Sequence, residues 1–89
     1  MDIIAKLAKM AALATVGVAR LCSPIDVVVI PKSIDTFDVD IFLIIKNGYK
    51  IPDIAWDVQE NVKKALDKHR NNKVEHINIH IEGIDFSED

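Results

Sequence analysis

The sequence is poor in the residues that build linkers, disulfides and membrane spans. Its 89 residues include three glycines, three prolines and a single cysteine, Cys22. So few glycines and prolines leave little room for long linkers, and one cysteine cannot form an internal disulfide, which suits the reducing cytoplasm. The longest largely apolar run, residues 10–19, is too short for a membrane-spanning helix, which needs about 20 residues. We therefore predict a cytoplasmic chain without a transmembrane segment.

Common catalytic and phosphate-binding motifs are also missing. There is no G-x-G-x-x-G, no P-loop and no H-E-x-x-H, and the surroundings of Cys22 show no metal-ligand spacing. The net charge of −3 is opposite in sign to the basic footprint of a general nucleic-acid binder. We predict that the protein is not an enzyme, holds no metal or cofactor and binds no specific nucleic acid.

Hydrophobic periodicity divides the chain into five elements. Hydrophobic residues make up 49% of the chain and charged residues 28%, as in ordinary globular proteins. We expect one compact domain over residues 1–84 and an acidic C-terminal tail over 85–89. The predicted elements are a helix over 2–20, strands over 25–30 and 37–46, a helix over 52–69 and a strand over 74–82.

The strand predicted over 37–46 has two faces of different character. Its odd-numbered positions are apolar, whereas its even-numbered positions include Asp38 and Asp40. Successive side chains of a strand point to opposite sides of the sheet, so the apolar side belongs in the core. Each predicted helix has a single apolar stripe, so both must cover this side. The sequence thus predicts an α+β two-layer sandwich of order α-β-β-α-β, with a three-stranded mixed sheet and two helices on one face.

The uncovered sheet face is predicted to bind a partner. Phe42 and Ile44 point away from the core, and alternation in the last strand brings His76 and His80 to the same side. Trp56 lies off the apolar stripe of its helix. An exposed apolar surface usually marks a contact with another protein. We predict a protein partner or self-association here; the alternative is that the tail or a loop covers this face.

Two other groups of side chains have alternative interpretations. His76, His80 and Glu82 are candidates for a small metal- or ligand-binding site, although residues four apart on a strand lie about 13 Å from each other, too far for one ion. A basic cluster at the end of the long helix would suit anionic lipid or nucleic acid, or is simply a solvated surface. It consists of Lys63, Lys64, Lys68, Arg70 and Lys73. The element order is loosely like that of K-homology RNA-binding folds, but their G-x-x-G loop is absent.

Two stretches resemble the alkaline-shock-protein family of small bacterial envelope stress proteins. Residues 48–62 read GYKIPDIAWDVQENV and residues 77–84 read INIHIEGI, which is similar to the family's N-I-P-E-V-A-x-x-V-Q and V-N-V-H-V-x-G-V runs. The turn at residues 68–72 departs from the family pattern. The resemblance implies a cytoplasmic, non-catalytic interaction module that associates with the cell envelope through a membrane-anchored partner, or self-associates as a homo-oligomer.

Overall fold

Two helices lie on one side of a mixed four-stranded sheet in the computed structural model, which describes residues 2–68 and 73–87. The elements in chain order are α1 (Asp2–Leu13), β1 (Val18–Leu21), β2 (Val27–Pro31), β3 (Thr36–Lys46), α2 (Ile51–Asp67) and β4 (Lys73–Asp85). The predicted two-layer α+β architecture with both helices on one face is confirmed.

β3 is the centre of the sheet because it pairs with every other strand. β4 runs parallel to β3 along its whole length, from the Thr36–Lys73 pair to the Lys46–Asp85 pair. β2 is antiparallel to the first half of β3, and β1 is antiparallel to the second half. A strand has only two edges, so β1 and β2 lie in line on the edge of β3 that β4 does not occupy.

The segment between β1 and β2 stays attached to this edge. The Cys22 N–H donates to the Phe42 carbonyl at 2.9 Å, and the Phe42 N–H donates to the Asp26 carbonyl at 2.8 Å. Residues 23–25, which include the cis Ser23–Pro24 peptide, are therefore an insertion that bulges out between two ladder bonds. β1 and β2 together form one interrupted arm of a long hairpin with β3.

The presence of β1 corrects the predicted element order and strand number. The helix predicted over 2–20 ends at Leu13, and residues 18–21 form a strand, so the order is α-β-β-β-α-β and the sheet has four strands rather than three. Gly17 has a φ of +98°, a left-handed conformation that no helix continues through. The chain therefore turns at Gly17, and Val18 enters the core from β1 with only 6% exposure.

The core lies between β3 and the two helices. We call this side of the sheet the closed face. β3 contributes the alternate residues Phe37, Val39, Ile41, Leu43 and Ile45, all nearly inaccessible to solvent. The helices contribute Ile4, Ala8 and Ala12 from α1 and Ile54, Val58, Val62 and Leu66 from α2. The predicted inward face of the long strand is confirmed.

α2 begins and ends close to its predicted limits. Pro52 lies in the first turn, where its missing N–H costs no hydrogen bond, and Asp53 adds a negative charge that the helix dipole favours. The helix ends at Asp67, whereas the prediction extended it to residue 69, which lies outside the described residues. Within the described ranges, neither helix has the length and apolar character needed to cross a bilayer.

Candidate functional site

The open face of the sheet is the side opposite the helices. In the described part of the chain no helix lies over it, and Phe86, just beyond β4, is 69% exposed rather than folded back. Alternation and register assign residues of all four strands to this face. They are Arg20 of β1, Val28 and Ile30 of β2, Asp38, Asp40, Phe42 and Ile44 of β3, His76, Asn78, His80 and Gly83 of β4 with Glu82 next to it, and the end pairs Thr36–Lys73 and Lys46–Asp85.

An apolar strip runs along the middle of the open face. The Phe42 ring stacks on the His80 ring, with centroids 4.4 Å apart and an interplanar angle of 11°. Ile44 lies over Gly83 of β4. Both side chains are half-buried, and no helix seals them from solvent. The predicted uncovered position of Phe42 and Ile44 is confirmed, whereas their role in partner binding stays a prediction.

β2 extends this strip with two residues that sequence analysis missed. Val28 lies opposite Asp40 and Ile30 opposite Asp38, so both point to the open face. Their exposed fractions are 36% and 41%. The signal was the uninterrupted apolar run of residues 27–30, because four consecutive apolar residues in a strand make both of its faces apolar.

Two aspartate–histidine pairs flank the apolar strip. Asp38 Oδ1 lies 3.1 Å from His76 Nδ1 and also accepts the His76 backbone N–H, while Asp40 Oδ1 lies 3.2 Å from His80 Nε2. Lys32 Nζ lies 3.6 Å from the other oxygen of Asp38. Alternation along β4 predicts both histidines on this face but does not connect them to the aspartates. That connection depends on the parallel register of β3 with β4, which is set by the crossover through α2.

Two β-bulges interrupt the alternation of β4. The register with β3 skips one residue at Glu75 and one at Glu82, while residues 76–81 alternate as predicted. Each bulge lets two apolar residues three positions apart both face the core. The sequence signals are the VEHI of residues 74–77 and the IEGI of residues 81–84, in which two non-core residues separate two core residues.

The first bulge brings a second carboxylate next to an aspartate–histidine pair. Asp38, Glu75 and His76 each offer a ligand atom, and these atoms lie within 4.8 Å of one another. Carboxylate and imidazole donors suit a zinc-type ion, but the Lys32 ammonium beside Asp38 competes with any metal there. Hydrogen bonds of the described residues bring no hydroxyl or thiol to His76, so this pair has no nucleophile to activate.

Trp56 is exposed, as predicted, but lies on a surface adjoining the open face. Its exposed fraction is 61%. It lines a groove of about 590 Å³ along the free edge of β4, together with Gln59, Ile77 and His80. Gln59 Nε2 donates to the Ile77 carbonyl at 2.9 Å. The structure therefore divides the predicted partner-binding residues between the open face and this groove, which meet at His80.

The predicted basic cluster is divided: its lysines on α2 lie away from the open face, whereas Lys73 lies opposite Thr36 at the end of that face. Lys63, Lys64 and Lys68 are exposed at the C-terminal end of α2, and Lys73 is exposed at the start of β4. Lys63 Nζ pairs with Asp67 Oδ2 at 3.1 Å. Arg70 lies outside the described residues. The cluster stays a prediction, and the open face itself carries both carboxylates and basic side chains such as Arg20.

Cys22 lies beside the apolar strip in a poorly reactive state. It borders a shallow groove with Pro24, Ile25, Phe42 and Glu82. Burial raises the pKa of the thiol, the Glu82 carboxylate raises it further, and the Arg20 guanidinium opposes both. The thiol therefore stays protonated at neutral pH and is a weak nucleophile.

Comparison with known families and proteins points to the cell envelope. The model of the alkaline shock protein 23 family, described as having a cell envelope-related function, matches residues 25–86. The uncharacterized protein YqhY of Bacillus subtilis (strain 168) is 36% identical over 52 residues, which is 58% of this chain and 38% of YqhY. The chain thus spans well under half the length of that relative.

Solved structures of the MamM CTD share the fold. A double variant superposes with a TM-score of 0.65 at 17% identity, covering 97% of this chain and 96% of that chain. A nickel form superposes with a TM-score of 0.64 at 17% identity, covering 93% and 98%. At such low identity the likeness establishes the architecture alone.

Proposed function

Because the chain belongs to the alkaline shock protein 23 family, a family with a cell envelope-related function, we propose that it is a non-catalytic interaction module that binds a membrane-anchored protein through its open face. The observation that carries this proposal is the apolar strip of Val28, Ile30, Phe42 and Ile44, left in contact with solvent on a sheet face without a helix. Apolar side chains that remain partly exposed together on one sheet face favour a partner that covers them.

The charges around the strip are of both signs. Asp38, Asp40 and Glu82 lie on the same face as the apolar residues, and so do Arg20, opposite Ile44, and Lys32, beside Asp38. Such a mixed pattern gives no net attraction to the anionic cytoplasmic leaflet, whereas a protein segment can place an opposite charge against each group. We place this contact at the cytoplasmic side of the membrane, where the free thiol of Cys22 would stay reduced.

A pelleting experiment with native membranes tests this function. Phe42→Asp puts a charge in the strip next to Asp40, and we expect membrane association to fall at least about tenfold, because an unpaired charge in an apolar contact costs more than 1.4 kcal/mol. Ile34→Asp is the matched control, since Ile34 is fully exposed in the β2–β3 connection, outside the open face. Circular dichroism verifies that both variants remain folded.

Two further measurements distinguish a protein partner from a lipid partner. Membranes treated with protease should lose the wild-type association, and vesicles of anionic lipid should not restore it. Equal binding by Phe42→Asp and Ile34→Asp, or full binding to protease-treated membranes, would refute the proposal.

A further inference from the structure

The outer edge of β4 presents backbone hydrogen-bonding groups without a partner strand among the described residues. Phe42 exchanges hydrogen bonds with Cys22 and Asp26 on the β1/β2 side. The backbone N–H and C=O groups of successive residues in a strand point to opposite edges. Those of Val39 and Ile41 therefore point towards β4 and hydrogen-bond it. Their register partners are Ile77 and Ile79, and in a parallel pair the bonds go to the residues flanking each partner. The N–H and C=O groups at odd positions 77, 79 and 81 therefore point outward.

The middle of this edge, residues 76–81, has no proline, lysine or bulge. Natural sheets block free edges with proline, lysine or bulges. The opposite edge has all of these: the insertion at residues 23–25, Pro31 at the end of β2, and Lys32 directly after it. On β4 the two bulges lie at Glu75 and Glu82, and residues 76–81 between them are regular. Among the residues that the structure describes, one side chain bonds an outward group here: Gln59 donates a single hydrogen bond to the Ile77 carbonyl.

The sequence of β4 is complementary to itself in the antiparallel direction. If Ile79 is placed opposite Ile79 of a second copy, then Ile77 lies opposite Ile81 and His76 opposite Glu82. Lys73 and Asp85 at the two ends of the strand fall opposite each other in this register, and the bulge at Glu75 falls opposite Gly83, one residue from the bulge at Glu82. If the pairing is shifted by one residue, the isoleucines of one copy lie opposite polar residues of the other. If the two-fold axis passes through His80, Glu75 lies opposite Asp85, and these two carboxylates repel each other.

We infer that two copies of this chain associate by antiparallel pairing of β4 around a two-fold axis at Ile79. The outward groups of positions 77, 79 and 81 then bond those of the second copy, and isoleucines meet on the helix side while histidine meets glutamate on the open side. Trp56, which lines the groove along this edge, gains cover from the second copy. The two open faces end up side by side on the same surface of a continuous sheet.

The expected affinity is modest. One strand and one aromatic side chain per copy make an interface at or below the small end of stable complexes, about 1,200 Å². We therefore expect a micromolar dissociation constant, visible as a rise from monomer to dimer mass in sedimentation equilibrium between about 1 and 100 µM. A monomer mass across this range would overturn the inference.

A cross-linking experiment tests the register. In the Cys22→Ser background, which removes the natural thiol, Ile79→Cys puts two thiols at a position where paired Cα atoms lie about 5.5 Å apart, within the range of a disulfide. Under mild oxidation we expect disulfide dimers to form at least about tenfold faster than with Lys73→Cys, whose copies would be about 40 Å apart. Equal rates for the two variants would overturn the register.

This surface is separate from the proposed docking face, and the experiments keep them apart. Phe42 touches β4 through the His80 ring on the open side, whereas the edge pairing uses the outward backbone groups of positions 77, 79 and 81. Adding Phe42→Asp to the Ile79→Cys chain should therefore leave cross-linking unchanged even if membrane association is lost. Loss of cross-linking in this combined variant, with native circular dichroism, would show that the copies meet through the open face and would overturn the edge pairing.

Discussion

The two faces of β3 are built from similar residues yet meet different surroundings. On the closed face Ile41, Leu43 and Ile45 have no accessible surface, whereas Phe42 and Ile44 on the open face are only half-buried. The apolar residues of the closed face are explained by the core that they form with the helices. Those of the open face keep part of their apolar surface in water after folding, and contacts outside the chain would explain that remainder.

Truncation of two neighbouring isoleucines tests most directly whether the two faces of β3 differ in packing. Ile45→Ala leaves a cavity in a sealed core and should lower the free energy of unfolding by about 3–4 kcal/mol. Ile44→Ala, the matched control one residue away on the open face, should lower it by about 1 kcal/mol because solvent fills the space. Urea unfolding at equilibrium measures both, and equal losses would mean that the open face is as tightly packed as the closed one.

Two glycines with the same backbone conformation differ in the same way, since one is packed against the core and the other faces open space. Gly17 and Gly48 have φ values of +98° and +97°. A Cβ on Gly17 would lie 2.5 Å from Ile54 Cδ1, whereas one on Gly48 would meet nothing within 4 Å. We expect Gly17→Ala to cost about 2–3 kcal/mol, from strain plus overpacking, and Gly48→Ala about 1 kcal/mol, from strain alone. Thermal unfolding of the two variants checks the difference, which should vanish only if α2 shifts to accept the methyl group.

The smallest expected effect concerns an ion pair that links α1 to the sheet. Asp26 Oδ2 lies 3.1 Å from Lys9 Nζ, and Asp26 Oδ1 accepts the Val27 N–H. Burial acts to raise the pKa of Asp26, but the hydrogen bonds and charge of Lys9 and the Val27 N–H outweigh it, so the net pKa is lowered from 3.8. The carboxylate therefore stabilises the fold fully above pH 3.8, and this contribution is lost as the pH falls through the lower pKa of the folded state.

Asp26→Asn isolates that contribution. Its stability should match the wild type to within about 1 kcal/mol at neutral pH and fall less steeply below pH 3.8. Stability measured by denaturant titration from pH 2.5 to 6 checks this. If the free energy of unfolding falls equally steeply with decreasing pH in the two proteins, other carboxylates control the loss of stability in acid.

Sequence reasoning succeeded where one pattern was long and one-sided. The periodicity of α2 and the alternation of β3 specified both elements and the inward face of the sheet, because burial on one side imposes a strict period. It failed at β1, since the alanine-rich run before Gly17 continues a helical pattern that tertiary contacts cut short. It also missed the aspartate–histidine pairs and the bulges of β4, because these depend on the register between strands distant in sequence. The acidic tail predicted over 85–89 begins within β4, and Glu88 and Asp89 lie outside the described residues.

The central position of β3 also sets the order in which the sheet can assemble during synthesis of the chain. The hairpin of β1 and β2 with β3 can form once residue 46 has left the ribosome, but its apolar side lacks α2 and its second edge lacks β4 until the rest is made. A chain stalled before Lys73 would therefore expose the apolar side and the unpaired edge of an incomplete sheet. This is the kind of nascent intermediate that chaperones recognise.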